Sequence, residues 1–412
     1  MNAEIITIGD EIIIGQVIDT NSAFIAQLLN GIGIEISRIT SVSDKVQEIK
    51  TALFETSQRT KLVLLTGGLG PTNDDRTKIA IQEYFNSKYR INEDLLNHIK
   101  VLLASRGVQM NDRNTDQAKV PENCKLIRNR LGTAPGLWFV KESTTYIFMP
   151  GVPFEMKAIM EDILADLKEQ FGNPSIVHRT ILTHGIAEST LAITINEWEN
   201  SLPKFLSLAY LPSPGMVRLR ISGQNTLDKD IYNIINEQII KLKPIISEYI
   251  FGYDQDTLEK VIGDLLIKKS ASISTAESCT GGSIASLITS VPGCSRYFKG
   301  SVVAYSNEIK TKLLNIDNQI IENNGAVSRE VAESMAIGVR EVMKSDYSIA
   351  TTGIAGPDGG SEQKPVGTVW IAIAGPEGAT SQLFRFSDER NRNITRTAYA
   401  ALNQLRRRLI AT

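Results

Sequence analysis

Residues 61–66, Lys-Leu-Val-Leu-Leu-Thr, make a short unbroken apolar run that passes directly into Gly67-Gly68-Leu69-Gly70-Pro71-Thr72. Such a run, bounded by a turn signal, reads as a strand buried on both faces, and that requires helices above and below one sheet. The flanking residues keep the same rhythm. Residues 4–8 form an apolar run ending at Gly9-Asp10-Glu11, and Thr20-Asn21-Ser22 offers caps to a helix ending near Gly31. Residues 34–39 read as a second strand, 45–56 as a helix, and 154–170 as the helix that closes the domain. This alternation predicts an open, mostly parallel α/β sheet, with ligands at the carboxyl ends of its strands.

The layout recurs in the last third. A helix over 257–269 leads to a strand over 272–275, then to Ala276-Glu277-Ser278-Cys279-Thr280-Gly281-Gly282 and a helix over 281–290. Further elements are expected at 328–343 (helix), 347–352 and 366–374 (strands) and from Asn391 (helix). Arg406-Arg407-Arg408 is expected to be a solvated face with helix-dipole benefit. Between the two α/β regions, Val217-Arg218-Leu219-Arg220-Ile221 alternates like a half-exposed strand, and 231–242 is helical until Pro244. The expected domains are 1–172, 173–252 (a small α+β unit) and 253–412, consistent with 412 residues at roughly 150 per domain.

Composition removes several function classes. Lys+Arg is 44 against Asp+Glu 46, a net charge of -2, without the basic excess of a dedicated nucleic-acid binder. No apolar run approaches the ~18 residues that span a bilayer. The start, MNAEIITIGDEI, is strand-like rather than a signal peptide, so a cytoplasmic location is expected. Cys124, Cys279 and Cys294 form no CxxC, and His98, His178 and His184 have no metal-site spacing. A metal here is expected to take oxygen ligands.

In the first domain, Gly67, Gly68, Gly70 and Thr72 before a helix start suggest a backbone cradle for a phosphate. Asp10, Glu11, Asp74 and Asp75 lie at the same sheet edge, where carboxylates beside an anion call for a bridging divalent cation. Capping of the next helix by Asp74 and Asp75 is the plain alternative.

These motifs, together with Gly132-Thr133-Ala134-Pro135-Gly136 and Pro150-Gly151-Val152-Pro153-Phe154-Glu155, resemble the N-terminal half of the CinA family. That half is similar to the molybdopterin-binding domain of molybdenum-cofactor biosynthesis proteins. The resemblance implies a divalent-metal-dependent ADP-ribose pyrophosphatase, and a KH-like middle unit. The last domain resembles the CinA C-terminal domain through residues 275–282, Pro292-Gly293-Cys294-Ser295, residues 300–307, Lys310, Gly325-Ala326-Val327-Ser328, Thr352-Gly353-Ile354-Ala355-Gly356-Pro357 and Lys364-Pro365-Val366-Gly367. Stand-alone domains of this kind are nicotinamide-nucleotide amidohydrolases, which convert nicotinamide mononucleotide to nicotinic acid mononucleotide and ammonia. The resemblance also implies a homodimer and needs no cofactor for the amidase.

Amide hydrolysis needs a nucleophile, a base and an oxyanion site. No His lies beyond residue 184. A Ser–Lys pair supplies both groups without one, because a desolvated Lys can take a serine proton. Ser295 is taken as nucleophile, Lys310 as base and Tyr305 as proton relay or orienting group, positions that also match the family's catalytic Ser, Tyr and Lys. Ser278 is the rival nucleophile. Otherwise Ser278, Thr280, Gly281 and Gly282 would cradle the substrate phosphate at a helix N-terminus. Thr352 and Gly353 are expected to hold the oxyanion or the nucleotide. The family carries a phosphate-binding Arg within Gly-Asp-Arg, whereas this chain reads Asp388-Glu389-Arg390-Asn391-Arg392, so Arg392 is placed first and Arg390 second. Two other readings stay open: a binding protein that holds a pterin or nucleotide without turnover, and an accessory factor in DNA uptake or damage response. Residues 176–252 contain no GxxG loop of the kind KH domains use to clamp nucleic acid.

Overall fold

The computed structural model describes residues 2–70, 76–172, 176–224, 230–387 and 389–411. The chain divides into two compact units, Met1–Val177 with Gln224–Asp230, and His178–Gly223 with Ile231–Thr412. No helix among the described residues is long and apolar enough to cross a membrane.

The first unit runs β1 (Asn2–Ile8), α1 (Asp10–Ile13), α2 (Thr20–Gly31), β2 (Glu35–Val42), α3 (Val46–Ser57), β3 (Leu62–Thr66), α4 (Thr77–Phe85), β4 (Tyr89–Ile91), α5 (Glu93–Ser105), α6 (Asp112–Gln117), β5 (Lys119–Pro121), β6 (Lys125–Ile127), β7 (Gly136–Lys141), β8 (Thr144–Met149) and α7 (Pro153–Phe171). Six strands make one sheet in the order β2-β1-β3-β8-β7-β6. The first four are parallel, β7 runs antiparallel to β8, and β6 runs antiparallel to β7. The apolar run in β3 divides by the strand period of two. Leu62 and Leu64 pack with α2 and α7 through Ile25, Leu29, Met156 and Ile159. Val63 and Leu65 pack on the opposite face with α3 and α4 through Ile49, Leu53, Ala80 and Ile81. The sheet is thus buried on both faces, as the unbroken run requires. The cap of α2 is Asp19, whose carboxylate accepts from the Ser22 amide at 2.9 Å, so the cap lies one residue before the expected Thr20-Asn21-Ser22.

The second unit begins with β9 (Ile176–His184), α8 (Glu188–Asn200), β10 (Leu206–Ser213), β11 (Met216–Gln224), α9 (Ile231–Ile246) and β12 (Ile250–Tyr253). The strands form a four-stranded sheet in the order β10-β11-β9-β12. Pro244 does not stop α9 but sits inside its last turn. The buried stripe Ile235, Ile239, Leu242 and Ile246 carries the helix past it, because burying those four positions outweighs the loss of one backbone donor.

The chain continues with α10 (Leu258–Lys268), β13 (Ile273–Glu277), α11 (Ser283–Thr289), a 3-10 turn (Cys294–Arg296), β14 (Phe298–Val303), α12 (Asn307–Leu314), α13 (Asn318–Asn324), α14 (Arg329–Met343), β15 (Tyr347–Gly353), β16 (Thr368–Gly375), β17 (Gly378–Arg385) and α15 (Arg390–Ala411). The five-stranded sheet has the order β14-β13-β15-β16-β17. The first three strands are parallel, β16 runs antiparallel to β15, and β17 runs antiparallel to β16. Ile273, Ile349, Ile371 and Ile373 meet α10 and α15 on one face. On the other, Ala276, Ala350, Ala372 and Ala374 meet Val331, Met335 and Val339 of α14. Arg406 does not lie on a solvated face. It is 4% exposed and donates to the carbonyls of Ile250 and Glu248 at 3.0 and 3.2 Å. A buried guanidinium needs such acceptors, and the end of the middle segment supplies them.

Candidate active site

The parallel strands of the first unit end on a cleft of about 350 Å³ lined by Gly67, Gly68, Gly70, Glu11, Gln117 and Glu155, among others. Gly67 and Gly68 have φ of +116° and +66°, conformations that glycine adopts without strain. A Cβ on Gly67 would lie 2.1 Å from the Ile8 carbonyl oxygen, and one on Gly68 would lie 2.0 Å from Thr77 Oγ1. Asn21 Nδ2 donates to Thr66 Oγ1 at 3.0 Å and to the Gly151 carbonyl at 2.8 Å, tying the end of β3 to the Pro150-Gly151 turn.

Asp10 and Glu11 are both exposed, and Glu11 lines the cleft. The Asp10 amide donates to Asp44 Oδ2 at 3.3 Å, and Asp44 lines the cleft as well. Asp19 is occupied as a cap. Thr72, Asp74 and Asp75 lie outside the described residues. Among the described residues, no three His, Cys, Asp or Glu side chains gather as a metal-binding group. The donors at hand therefore do not by themselves fit a divalent ion. Of two further cleft residues, Gln117 escaped the sequence reading, and Glu155 entered it only as the end of the Pro150–Glu155 motif. Gln117 is 1% exposed and its Oε1 has no partner among the described residues. Glu155 accepts from Asn129 Nδ2 at 2.7 Å, and burial pushes its carboxyl above the usual range.

In the C-terminal sheet the chemistry collects at the carboxyl ends of β13, β14 and β15. Ser278 follows the last residue of β13, and its amide donates to the Thr351 carbonyl at 3.0 Å, which holds it against the end of β15. Lys310 comes from α12, whose start is capped by Ser306. Its side chain is 1% exposed. The Nζ donates to Ser278 Oγ at 3.2 Å, to the Ala304 carbonyl at 2.9 Å and to the Tyr305 carbonyl at 3.1 Å. An ammonium has three donors, and these acceptors account for all of them. Burial lowers the Lys310 pKa.

Ser295 is not brought to Lys310. It is exposed on the 3-10 turn Cys294–Arg296, and the ammonium's three bonds go elsewhere. The helix-N-terminus phosphate cradle expected of Ser278, Thr280, Gly281 and Gly282 is filled from within the fold. Glu277 is fully buried, and its carboxylate accepts from the amides of Gly282, Ile284 and Ala285 at 3.0, 3.0 and 2.8 Å. The Gly281 and Ser283 amides donate to the carbonyls of Ser278 and Thr280. The Thr280 hydroxyl bonds that of Thr351 at 2.8 Å. Among the described residues, the amides of Cys279 and Thr280, next to Ser278, bond to no other residue.

Tyr305 is 61% exposed, and its hydroxyl accepts from Arg390 Nη2 at 3.3 Å. Arg390 also donates to the Gly356 carbonyl at 2.8 Å. Arg392, placed first from the sequence, instead points to Glu389 at 3.6 Å. The Thr352 hydroxyl donates to the Ala326 carbonyl at 2.7 Å, and neighbouring Gly353 ends β15. Asn393, which the sequence reading missed, is 1% exposed and donates to the carbonyls of Ala355 and Ser387, holding the loop after β15. Lys364 donates to the carbonyls of Asn324 and Val327, a structural role. Burial pushes the Cys279 thiol up to about 12, so it stays protonated at neutral pH.

Comparison with known proteins agrees with this layout. The family model described as "Probable molybdopterin binding domain" matches residues 4–169, the CinA KH domain model matches 178–252, and the CinA C-terminal domain model matches 255–409. A CinA-like protein of Cytophaga hutchinsonii is 48% identical over 99% of this chain and 98% of its own length. One of Flavobacterium psychrophilum is 48% identical over 100% and 99%. The crystal structure of competence/damage inducible protein CihA from Agrobacterium tumefaciens is 36% identical, covers 36% of this chain and 92% of its own, and aligns with a TM-score of 0.36. An α/β chain with a molybdopterin-binding-like mixed sheet, a KH-like middle domain and a CinA C-terminal domain, 48% identical to such relatives over its full length, belongs to the CinA family.

Proposed function

We propose that the C-terminal domain hydrolyses the carboxamide of nicotinamide mononucleotide, giving nicotinic acid mononucleotide and ammonia, with Ser278 as nucleophile and Lys310 as base. The carrying observation is the coordination of Lys310. A neutral amine has two N–H donors and one lone pair. The Ala304 and Tyr305 carbonyls take the donors, which leaves the lone pair facing the Ser278 hydroxyl at 3.2 Å. Ser278 Oγ attacks the carboxamide carbon while its proton passes to Lys310. The amides of Cys279 and Thr280, which bond to no other residue among those described, supply the oxyanion site, one of them from the residue after the nucleophile. Lys310 returns the proton to the leaving nitrogen, ammonia departs, and water hydrolyses the acyl-serine. Tyr305 and Arg390 form the rim that receives the substrate phosphate. No metal enters this scheme.

The test is ammonia release from nicotinamide mononucleotide by the full chain without added metal. Ser278→Ala and Lys310→Ala are expected to be inactive while folded, and Ser295→Ala is expected to retain activity. An inactive Ser295→Ala beside an active Ser278→Ala would return the nucleophile to Ser295. An inactive wild type would overturn the amidase reading.

For the first unit we infer a pyrophosphatase acting on ADP-ribose, supported by the glycine turn at the cleft and by the family. The divalent ion belongs to that proposal, and no step is derived through it. Formation of AMP and ribose 5-phosphate that EDTA abolishes would support the reading. Binding of ADP-ribose without turnover at any metal would favour a binding protein.

A further inference from the structure

A second cleft lies inside the second unit, away from Ser278, where the KH-like segment meets β17 and α15. It has two contiguous lobes of about 310 and 370 Å³ that share His184, Gly185, Phe384 and Ala400. On α15, Arg396, Ala400, Asn403 and Arg407 all line it. Their spacing of four, three and four residues puts them on one helix face. At 1.5 Å per residue, Arg407 lies about 25 Å along the helix from Arg390. Arg396 is six residues from Arg390, which turns it about 120° around the axis from that residue. The cleft is therefore a different surface from the catalytic rim.

Two polar groups in this cleft lack partners among the described residues. His184 is 6% exposed and its Nδ1 is unbonded. Arg396 is half-buried and its Nε is unbonded. A buried polar atom left unpaired is unfavourable, and a guanidinium can only donate. The lobe around Arg396 is otherwise largely apolar, with Phe384 and Phe386 stacked at 5.6 Å along it. The lobe around Arg407 is polar, with Gln382, Gln404 and Arg408. The carboxylate on the lining is the exposed Glu188, and Arg407 has a 3.7 Å contact to Glu248. The lining thus offers a flat apolar wall, a neutral imidazole and more cation than carboxylate.

We propose that this cleft binds a nucleoside monophosphate, with the base against Phe384 and Phe386 and the phosphate on the arginines of α15. The match is chemical: a planar ring for the aromatic wall, and a dianion for a lining that sets arginines against one exposed carboxylate. The probe is 8-azido-AMP, photolysed with the full-length protein and mapped by mass spectrometry. Label is expected on residues 380–386 or 396–407, and excess AMP is expected to protect those sites where adenosine or inorganic phosphate does not. Arg396→Gln with Arg407→Gln is expected to reduce that label at least tenfold, while label elsewhere in the chain is unchanged. Wild-type protein unlabelled in both segments would overturn the proposal whether or not the variant folds. So would label there that persists undiminished in a folded variant, or that adenosine displaces as well as AMP does. None of these outcomes depends on ammonia release, so the amidase reading stands or falls separately.

Discussion

Two strand–turn–helix corners invite comparison, one after β3 and one after β13. Both follow a buried parallel strand, both are glycine-rich and both lie at the carboxyl edge of a mixed sheet. In the first, glycine is demanded by neighbours: Gly67 and Gly68 have no room for a Cβ beside Ile8 and Thr77. In the second, Gly281 would meet nothing within 4 Å, and its φ of +60° is the whole requirement. The larger difference is what meets the next helix. Glu277 fills the N-terminus of α11 with a buried carboxylate. The second corner therefore cannot hold a phosphate on the amides of that helix start, and presents one serine to a buried lysine. The first corner borders a cleft and carries no such internal anion among its described residues. A shared motif shape thus ends in two differently built corners, one of them filled by a buried acidic side chain.

The comparison breaks most decisively at the proposed Ser278–Lys310 pair. Lys310→Ala and Ser278→Ala should each lower kcat/KM for ammonia release by about 10³-fold or more, and the double variant little further, because the two act as a unit. Steady-state kinetics decide it, and additive losses would deny the pairing. In wild type, activity should rise with pH as Lys310 loses its proton, with a midpoint below the ordinary lysine value because burial disfavours the ammonium.

Glu277→Ala should come next, at roughly 3–5 kcal/mol of stability, since three amides lose their acceptor in a buried place. Urea denaturation measures it, and a loss under 1 kcal/mol would remove Glu277 as the reason the two corners differ. Gly68→Ala should destabilise the first unit by roughly 2–3 kcal/mol through its contact with buried Thr77, with ammonia release unaltered.

Acidification tests His184 of the second unit. Burial, with Arg406 and Arg407 nearby, pushes the His184 imidazole down to about 4. Unfolded, it titrates near 6.5. Between those values the unfolded chain binds a proton that the folded one does not, so this contribution is complete above about pH 6.5 and is lost as pH falls toward 4. The slope is about 1.4 kcal/mol per pH unit. Comparing wild type with His184→Phe across that range isolates it, and identical slopes would show that His184 is not the group responsible. The smallest effect is expected for Gly281→Ala, about 1 kcal/mol from its left-handed backbone alone. A loss as large as that of Gly68→Ala would mean the two corners are built alike after all.

Much of the architecture was legible in the chain. The run at 61–66 announced a sheet covered on both faces because a strand's two faces alternate residue by residue, and both faces here are apolar. Glycine and proline marked the corners, and Lys310 stood out because no histidine lies in its domain. Legibility ended where a partner comes from far along the chain or from a competing local bond. Pro244 predicts a stop, yet the apolar stripe of α9 runs through it. Ser295 and Ser278 were both plausible partners for Lys310, since sequence distance says nothing of which hydroxyl a buried amine reaches. Glu277 was an unremarked letter beside the motif until the fold turned its carboxylate onto the next helix. Arg390 and Arg392 differ by about 200° around a helix axis, a rotation that only the docking of α15 converts into contact with Tyr305 or with Glu389. Local pattern thus determined which elements form and which faces they bury, because burial of apolar surface is additive along the chain. The pairing of polar groups was left to the tertiary structure, because a hydrogen bond depends on ångström-scale geometry between elements that the order of residues does not contain.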